Sequence, residues 1–427
     1  MELHPTPLNL TPYKAALPVA ADCGNQIMRW SDELARHTEV EDMLTRTYLT
    51  PAHHSAAAQL AEWMCAAGMQ VRRDMAGNVI GRYEADTADA PALVTGSHFD
   101  SVRNGGKYDG NLGILLPIAC VQQWHNAGKR FPFALEVIGF AEEEGVRFKA
   151  TLLGSRAAAG TFDMAVLDNR DDDGHTMREV MAASGFHAVG LAKAAYPPKS
   201  VLAFVEVHIE QGPVLLNAEL PVGVVTAISG ASRFMVEIHG LAGHAGTVPM
   251  EMRRDAAMAA AEIGLFIERR CQGKPGLVGT VGMLNVPNGA ANVVPGRALF
   301  SIDIRAGDDA VRHAAVADVL AEIDTIAQRR NVSINARKTH DAMSVPCAPW
   351  LQQQLATAIS SSNLPVRHLP SGAGHDAMAM AAITDVAMLF VRCGNGGISH
   401  HPDETMTAAD AALAAQVFTH FVEQFRK

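Results

Sequence analysis

Five short segments of this 427-residue chain carry residue types that bind and use divalent metals. They read GSHFDSV (Gly96 to Val102), KYDGNLG (Lys107 to Gly113), AEEEGVRF (Ala141 to Phe148), EVHIEQGP (Glu206 to Pro213) and GISHHPDE (Gly397 to Glu404). Each ends a hydrophobic run, so each is expected where a strand stops. Zinc and manganese take imidazole nitrogen and carboxylate oxygen, with an open position for water. His98, His208 and His400 offer the first donor; Asp109 and the run Glu142-Glu143-Glu144 offer the second. Asp109, between flexible glycines, is placed to bridge two ions about 3.5–4 Å apart. Asp100, two residues after His98, can hold the other ring nitrogen of that histidine. Three adjacent carboxylates repel one another unless cations lie near. One of them should therefore ligate while a neighbour serves as general base. The chemistry is metal-dependent hydrolysis.

Taken singly, each feature has an ordinary explanation. A histidine after a strand is commonly a satisfied polar residue, an EEE run a solvated loop, an Asp in a glycine turn simply turn chemistry. Their recurrence at the ends of adjacent strands in one sheet is what favours the metal.

The elements that must position them alternate. Thr50-Pro51 starts a helix with Leu60, Trp63, Met64 and Ala67 on its apolar stripe, and Gly68 ends it. Strands are expected at Pro91–Gly96, Phe133–Phe140 and Val201–Val207, with helical material between them. This order implies an α/β fold with a mixed, mostly parallel sheet flanked by helices, ligands lying at the carboxyl ends of its strands. From about residue 228 the pattern changes. Ser232–His239 and Leu277–Val286 read as antiparallel strands joined by a helix through Asp255–Arg270. Asn292–Ile304 adds strand, and Asp308 opens a helix with Val316, Val319, Leu320, Ile323 and Ala327 on one face. None of the five segments falls in 228–341. That block is expected to be an inserted, smaller α+β domain with an antiparallel sheet and two helices. It would separate catalytic parts at 1–227 and 342–427. A helix near Ala348–Ser361, a strand at Val386–Val391 and a terminal helix capped by Thr407 and Asp410 complete the second part.

Composition narrows the class. The chain is 48% hydrophobic and 19% charged, as soluble globular proteins are. A formal net charge of -10 with no basic tract argues against nucleic acid as a partner. Six cysteines (Cys23, Cys65, Cys120, Cys271, Cys347 and Cys393) include no CxxC pair and suit a reducing compartment. The opening MELHPTPLNLTPYK has prolines where a signal peptide needs a basic region and an apolar run, and no stretch approaches a membrane span. A cytoplasmic location is expected.

With these segments in hand, the chain resembles the amidohydrolase branch of the dinuclear aminoacylase and carboxypeptidase-type metallopeptidase clan. That branch comprises allantoate amidohydrolases, N-carbamoyl-L-amino acid hydrolases and beta-ureidopropionases. The resemblance runs from Leu44-Thr45-Arg46 through GSHFDSV, GGKYDG, EEEGVRF, HIEQGP, HAGTVPM, NVVPG, DIR and GAGHD to ISHHPDE. The segment LTRTYLTPAH leans towards the allantoate enzymes. The resemblance implies that His98 and His208 hold one divalent ion, Glu144 and His400 a second, with Asp109 between them and Glu143 as base. The ions would be zinc or manganese, with cobalt or nickel also acceptable. Asn292 and Arg305 would bind a substrate carboxylate and Gln211 would line the pocket. His244 would reach into the site of a partner subunit, which implies a homodimer through the inserted domain. The implied reaction is cleavage of a ureido C–N bond, in allantoate first. An N-carbamoyl-L-amino acid hydrolase is the alternative, and a non-catalytic ureide-binding protein the reading from another class. Two points stay open at this level. His401 directly follows His400, and Arg305 could instead pair with Asp308 or Asp309. The GAGHD run (Gly372 to Asp376) could present backbone amides to an anion or simply start a helix, so His375 is left out of the catalytic set.

Overall fold

The structure, a computed structural model, describes residues 18–427, with side chains from residue 22 onward. The segment MELHPTPLNLTPYK lies outside the described residues. Among the described residues no helix is long and apolar enough to cross a membrane.

The large sheet runs, in order, Gln70–Arg73, Val79–Tyr83, Ala134–Phe140, Ala92–His98, Val201–Ile209, Val386–Val391, Val222–Ile228 and Val345–Pro346, with His368–Ser371 also pairing onto Val222–Ile228. Its four central strands, from Ala134–Phe140 to Val386–Val391, are mutually parallel, and the outer pairs are antiparallel except at His368–Ser371. The fold is thus mixed α/β with a mostly parallel centre, as expected. Each central strand is buried along nearly its whole length because helices cover both faces. Leu112–Asn126, Ala408–Gln424 and Pro18–Ala35 pack together as one such layer. Thr50 caps Pro51–Ala66 by accepting a hydrogen bond from the His53 amide, and Thr407 likewise caps Ala408–Gln424.

A second, antiparallel sheet orders Leu284–Asn285, Arg297–Ala306, Gly230–His239 and Ser333–Ala342, with Leu277–Thr280 also on Arg297–Ala306. Helices Ala256–Cys271 and Asp309–Arg330 cover one of its faces, with Asp255 and Asp308 as their N-caps. Its core, from Phe234 to Val332, is distinct from the core under the large sheet.

Two expected strands differ in detail. Leu277–Val286 is two short strands interrupted near Val281–Met283, both laid on Arg297–Ala306 rather than on Ser232–His239. Asn292–Ile304 likewise breaks at Pro295-Gly296: Val293–Val294 pairs with Gly243–His244, and the long strand starts at Arg297. Proline has no amide to give a ladder, which is why the strand restarts after it. The metal-binding segments also do not all end strands. Lys107–Gly113 leads into helix Leu112–Asn126, and Gly397–Glu404 follows the short turn Asn395–Gly397.

Candidate metal centre

The parallel strands deliver the donors to one edge. His98 is the last residue of Ala92–His98, His208 the penultimate residue of Val201–Ile209, and Glu142-Glu143-Glu144 lies just beyond Phe140. Asp109 comes from the loop before helix Leu112–Asn126. Gly110 next to it has φ +67°, and a Cβ there would sit 2.5 Å from the His98 ring, so only glycine lets this loop approach. His400 and Gln211 hold positive φ of 54° and 55°, unusual for residues with a Cβ and here found where both side chains meet Asp109.

Asp109 is the hub. Its Oδ1 lies 3.3 Å from His208 Nε2 and 3.8 Å from His98 Nε2. Its Oδ2 lies 3.3 Å from His400 Nε2, which is in turn 3.6 Å from Glu144 Oε1. The donor atoms therefore fall into two groups sharing one carboxylate: His98, Asp109 and His208, and Asp109, Glu144 and His400. Tetrahedral ligands at zinc bonds of about 2.0–2.1 Å stand about 3.3–3.4 Å apart, close to the spacings seen. The tautomers also suit ligation. His98 Nδ1 faces Asp100, 3.2 Å from its carbonyl and 3.3 Å from its carboxylate, and His208 Nδ1 lies 2.8 Å from the Ile209 carbonyl. Both arrangements leave Nε2 for a cation. Asp100 does more than hold His98, because its carboxylate also accepts the Glu143 and Glu144 amides at 3.0 and 3.1 Å. It thereby ties the two strand ends together.

The electrostatics call for cations. Among the described residues no lysine or arginine pairs with Asp100, Asp109, Glu143 or Glu144; the ion-pair partners of Asp100, Asp109 and Glu144 are histidines. Burial, then the charge of Asp109, pushes Glu144 up to about 7. Burial and the Glu144 charge raise Glu143 well above the usual carboxylate range. The Asp109 hydrogen bond raises His400 to about 9. Burial opposes a charge on Asp109, yet His400, His208 and His98 hold its carboxyl below the ordinary range. Protons here do what a divalent ion would do better, so the residues fit a pair of such ions.

His400, not His401, faces this centre; His401 is exposed and lies 3.6 Å from Asp403. Gln211 donates to Asp109 Oδ1 at 3.2 Å, while its own amide oxygen is buried without a hydrogen-bond partner. His375 stays outside the donor groups around Asp109, its ring against His208 at 4.5 Å between centroids. Arg305 stands on the second sheet and reaches across to the GAGHD loop, donating to the Gly372 carbonyl at 2.7 Å. A Cβ on Gly374 of that loop would lie 3.7 Å from Glu143 Oε1, so the loop borders the centre. The pairing of Arg305 with Asp308 or Asp309 is not found: Asp308 caps a helix, Asp309 binds Arg312, and Arg305 holds Asp303 instead. Asn292 and His244 sit side by side on the small ladder Val293–Val294 with Gly243–His244, both exposed and without a contact to the centre.

Residues 86–424 match the family described as peptidase family M20/M25/M40. The chain belongs to that family. It is 40% identical over 425 residues to a probable allantoate deiminase of Oryza sativa subsp. japonica, covering 92% of this chain and 86% of the relative. It is also 40% identical over 381 residues to an N-carbamoyl-L-amino acid amidohydrolase of Geobacillus stearothermophilus, covering 89% and 93%. A crystal structure of a hydantoinase/carbamoylase family amidase from Burkholderia multivorans superposes with a TM-score of 0.88 at 31% identity, covering 93% of this chain and 96% of that one. This member of the M20/M25/M40 family is an amidohydrolase, and its site holds side chains that could bind metal.

One site residue carried no signal of its own. Glu404 is buried and accepts the Tyr108 and Asp109 amides, both at 3.1 Å, and the Ser399 hydroxyl at 2.8 Å. It clips the His400 segment to the Asp109 loop. Its place four residues after His400, in a segment already singled out, was the available clue.

Proposed function

We propose that this protein hydrolyses a ureido C–N bond of a carboxylate-bearing substrate, with allantoate foremost and ureidoglycine, ammonia and carbon dioxide as products. The carrying observation is the placement of Glu143. It shares a donor group with His98 and Glu144, it borders the loop that Arg305 touches, and burial with the Glu144 charge raises its carboxyl well above the usual carboxylate range. Two divalent ions, zinc or manganese with cobalt or nickel as substitutes, would be held by His98, Asp109 and His208 and by Asp109, Glu144 and His400. Such ions polarise a scissile carbonyl and make water acidic enough to lose its proton at neutral pH. Glu143 takes that proton and gives it to the leaving nitrogen. Arg305 and Asn292 hold the substrate carboxylate, Arg305 through its two-nitrogen fork. Asp100 fixes the His98 ring and the Glu143 backbone together.

His244 and Asn292 do not reach the centre of their own chain, which supports completion of the site by a second copy. His244 of the partner subunit would stabilise the developing oxyanion. Exposed Met258 and Leu265 on helix Ala256–Cys271, with exposed Val278, Met283 and Leu284 beside the same sheet edge, supply the apolar surface for that homodimer. The cysteines among the described residues are all free, which supports the cytoplasm.

An equally similar N-carbamoyl-L-amino acid amidohydrolase supports the alternative substrate class. A panel of ureido acids tested on manganese- and zinc-loaded enzyme, with ammonia release as readout, separates the two. Allantoate should be turned over fastest. Preference for N-carbamoyl amino acids would select the alternative, and no turnover of any member would leave a ureide-binding protein.

A further inference from the structure

The open face of the smaller sheet carries a charge triplet around Arg305, and the proposed reaction leaves its other two members, Asp303 and Arg233, without a role. Asp303 and Arg305 are two residues apart on Arg297–Ala306 and so project to the same side. Arg233 stands directly opposite Asp303 on the neighbouring strand. Arg305 grips Asp303 with two nitrogens: Nε donates to Oδ1 at 3.1 Å and Nη2 to Oδ2 at 2.8 Å. Arg233 Nε donates to the same Oδ2 at 3.0 Å. The three charged groups line a cleft of about 480 Å³ with Thr280, Ser301 and Gly372. The fork that a substrate carboxylate needs is thus already filled, by a carboxylate of the same strand.

We propose that Asp303 is a resident stand-in for the substrate carboxylate, displaced from Arg305 when substrate binds and retained by Arg233. This rests on the reading of Arg305 as the carboxylate clamp. The exchange leaves two carboxylates matched to two guanidinium groups, so no charge is stranded. A neutral urea offers no carboxylate to take the place of Asp303 on Arg305, so it leaves the pair intact and binds without the clamp. The cost to an acid is small, because pairs that keep contact with water contribute little, and these side chains retain 25% (Asp303), 29% (Arg305) and 46% (Arg233) of their exposure.

The test uses the metal-loaded full chain, with N-carbamoylglycine and its primary amide as matched probes. Asp303→Asn should lower KM for the acid about two- to fivefold, and Arg233→Met should raise it by a similar factor. Both effects should fall in KM rather than kcat, and neither should move KM for the amide. A rise or no change with Asp303→Asn, or no change with Arg233→Met, overturns the proposal. Should Asp303→Asn fail to fold, the exposed Arg233→Met still decides. Calorimetric binding of the same two probes separates this inference from the reading beneath it. If wild type cleaves ureido acids but the variants do not shift affinity, the stand-in role falls and the activity stands. If wild type cleaves none yet the variants shift acid binding in opposite directions, the activity falls and the stand-in role remains.

Discussion

At the carboxyl edge of the large sheet, His98, Asp109 and His208 are almost sealed from water, with their orientation fixed by neighbours. On the smaller sheet, His244 and Asn292 are exposed and Arg305 is half-buried and already engaged with another carboxylate. One region is complete within a single chain; the other, on the proposed reading, is completed by substrate and a second copy. The difference follows from what each must do. Metal ligation needs donors held to within a few tenths of an ångström, which buried strand ends provide. Substrate recognition needs groups that can open and close, and such groups are drawn from exposed, weakly held surface.

Substitutions in the two regions should therefore fail differently. Glu143→Gln should keep metal content and lose about 10²–10⁴ in kcat, the usual worth of a positioned base; substantial remaining turnover at full metal loading would remove Glu143 from that role. Arg305→Ala should cost about 2–3 kcal/mol in kcat/KM, the lower part of the range for a charge pair with substrate, with metal content unchanged. An unaltered kcat/KM would break the contrast between a clamp and a surface ion pair. Asp100→Asn should weaken metal binding about 10–100-fold, as loss of a histidine's partner does, while leaving discrimination between acids and amides intact. Titration with a competing chelator reads the first and the probe pair above reads the second.

How much of this was legible in the sequence divides along the same line. Strand-end segments advertise themselves, because side-chain type and local hydrophobic pattern both point to one edge of one sheet. His98, Glu144 and His208 were readable that way; Asp109 and His400, in segments that do not end strands, were readable from donor type alone, and the structure brings all five together. Contacts set by register were not. Arg233 meets Asp303 across 70 residues only because their strands align at that position. Nothing local to either residue says so, and for Arg305 the sequence points to Asp308 or Asp309, although Asp303, two residues away on the same face of the strand, is the partner. Glu404 was hidden for the same reason, since its partners are two backbone amides some 295 residues away. The breaks at Val281–Met283 and Pro295-Gly296 show the reverse case. There the turn chemistry was local, but hydrophobic runs on either side masked it.

The finished region should also betray itself when emptied of metal. Burial raises Glu144 and Glu404 to about 7 and Glu206 to about 8 from an ordinary 4.5, so the folded protein without metal holds more protons than the unfolded chain between those values. These groups lower stability as pH rises from about 5 to about 8; His208, which burial lowers to about 4, and the buried His53 and His375, also lowered, pull the other way below 6.5, so the fall is clearest from about 6.5 to about 8. His400, raised to about 9, adds to the same trend: its contribution is full below 6.5 and is lost as pH climbs through 9. Divalent ions reverse this, because they bind the ionised carboxylates and the neutral imidazoles. Thermal unfolding of chelator-treated protein should shift down across that window, by about 1 °C for each kcal/mol lost in a chain of this length. The gain in Tm on adding manganese should be larger at pH 8 than at pH 5. A metal-free Tm that rises over this range, or a metal gain independent of pH, would mean that the carboxylates at the sheet edge are not held apart from water as the structure has them.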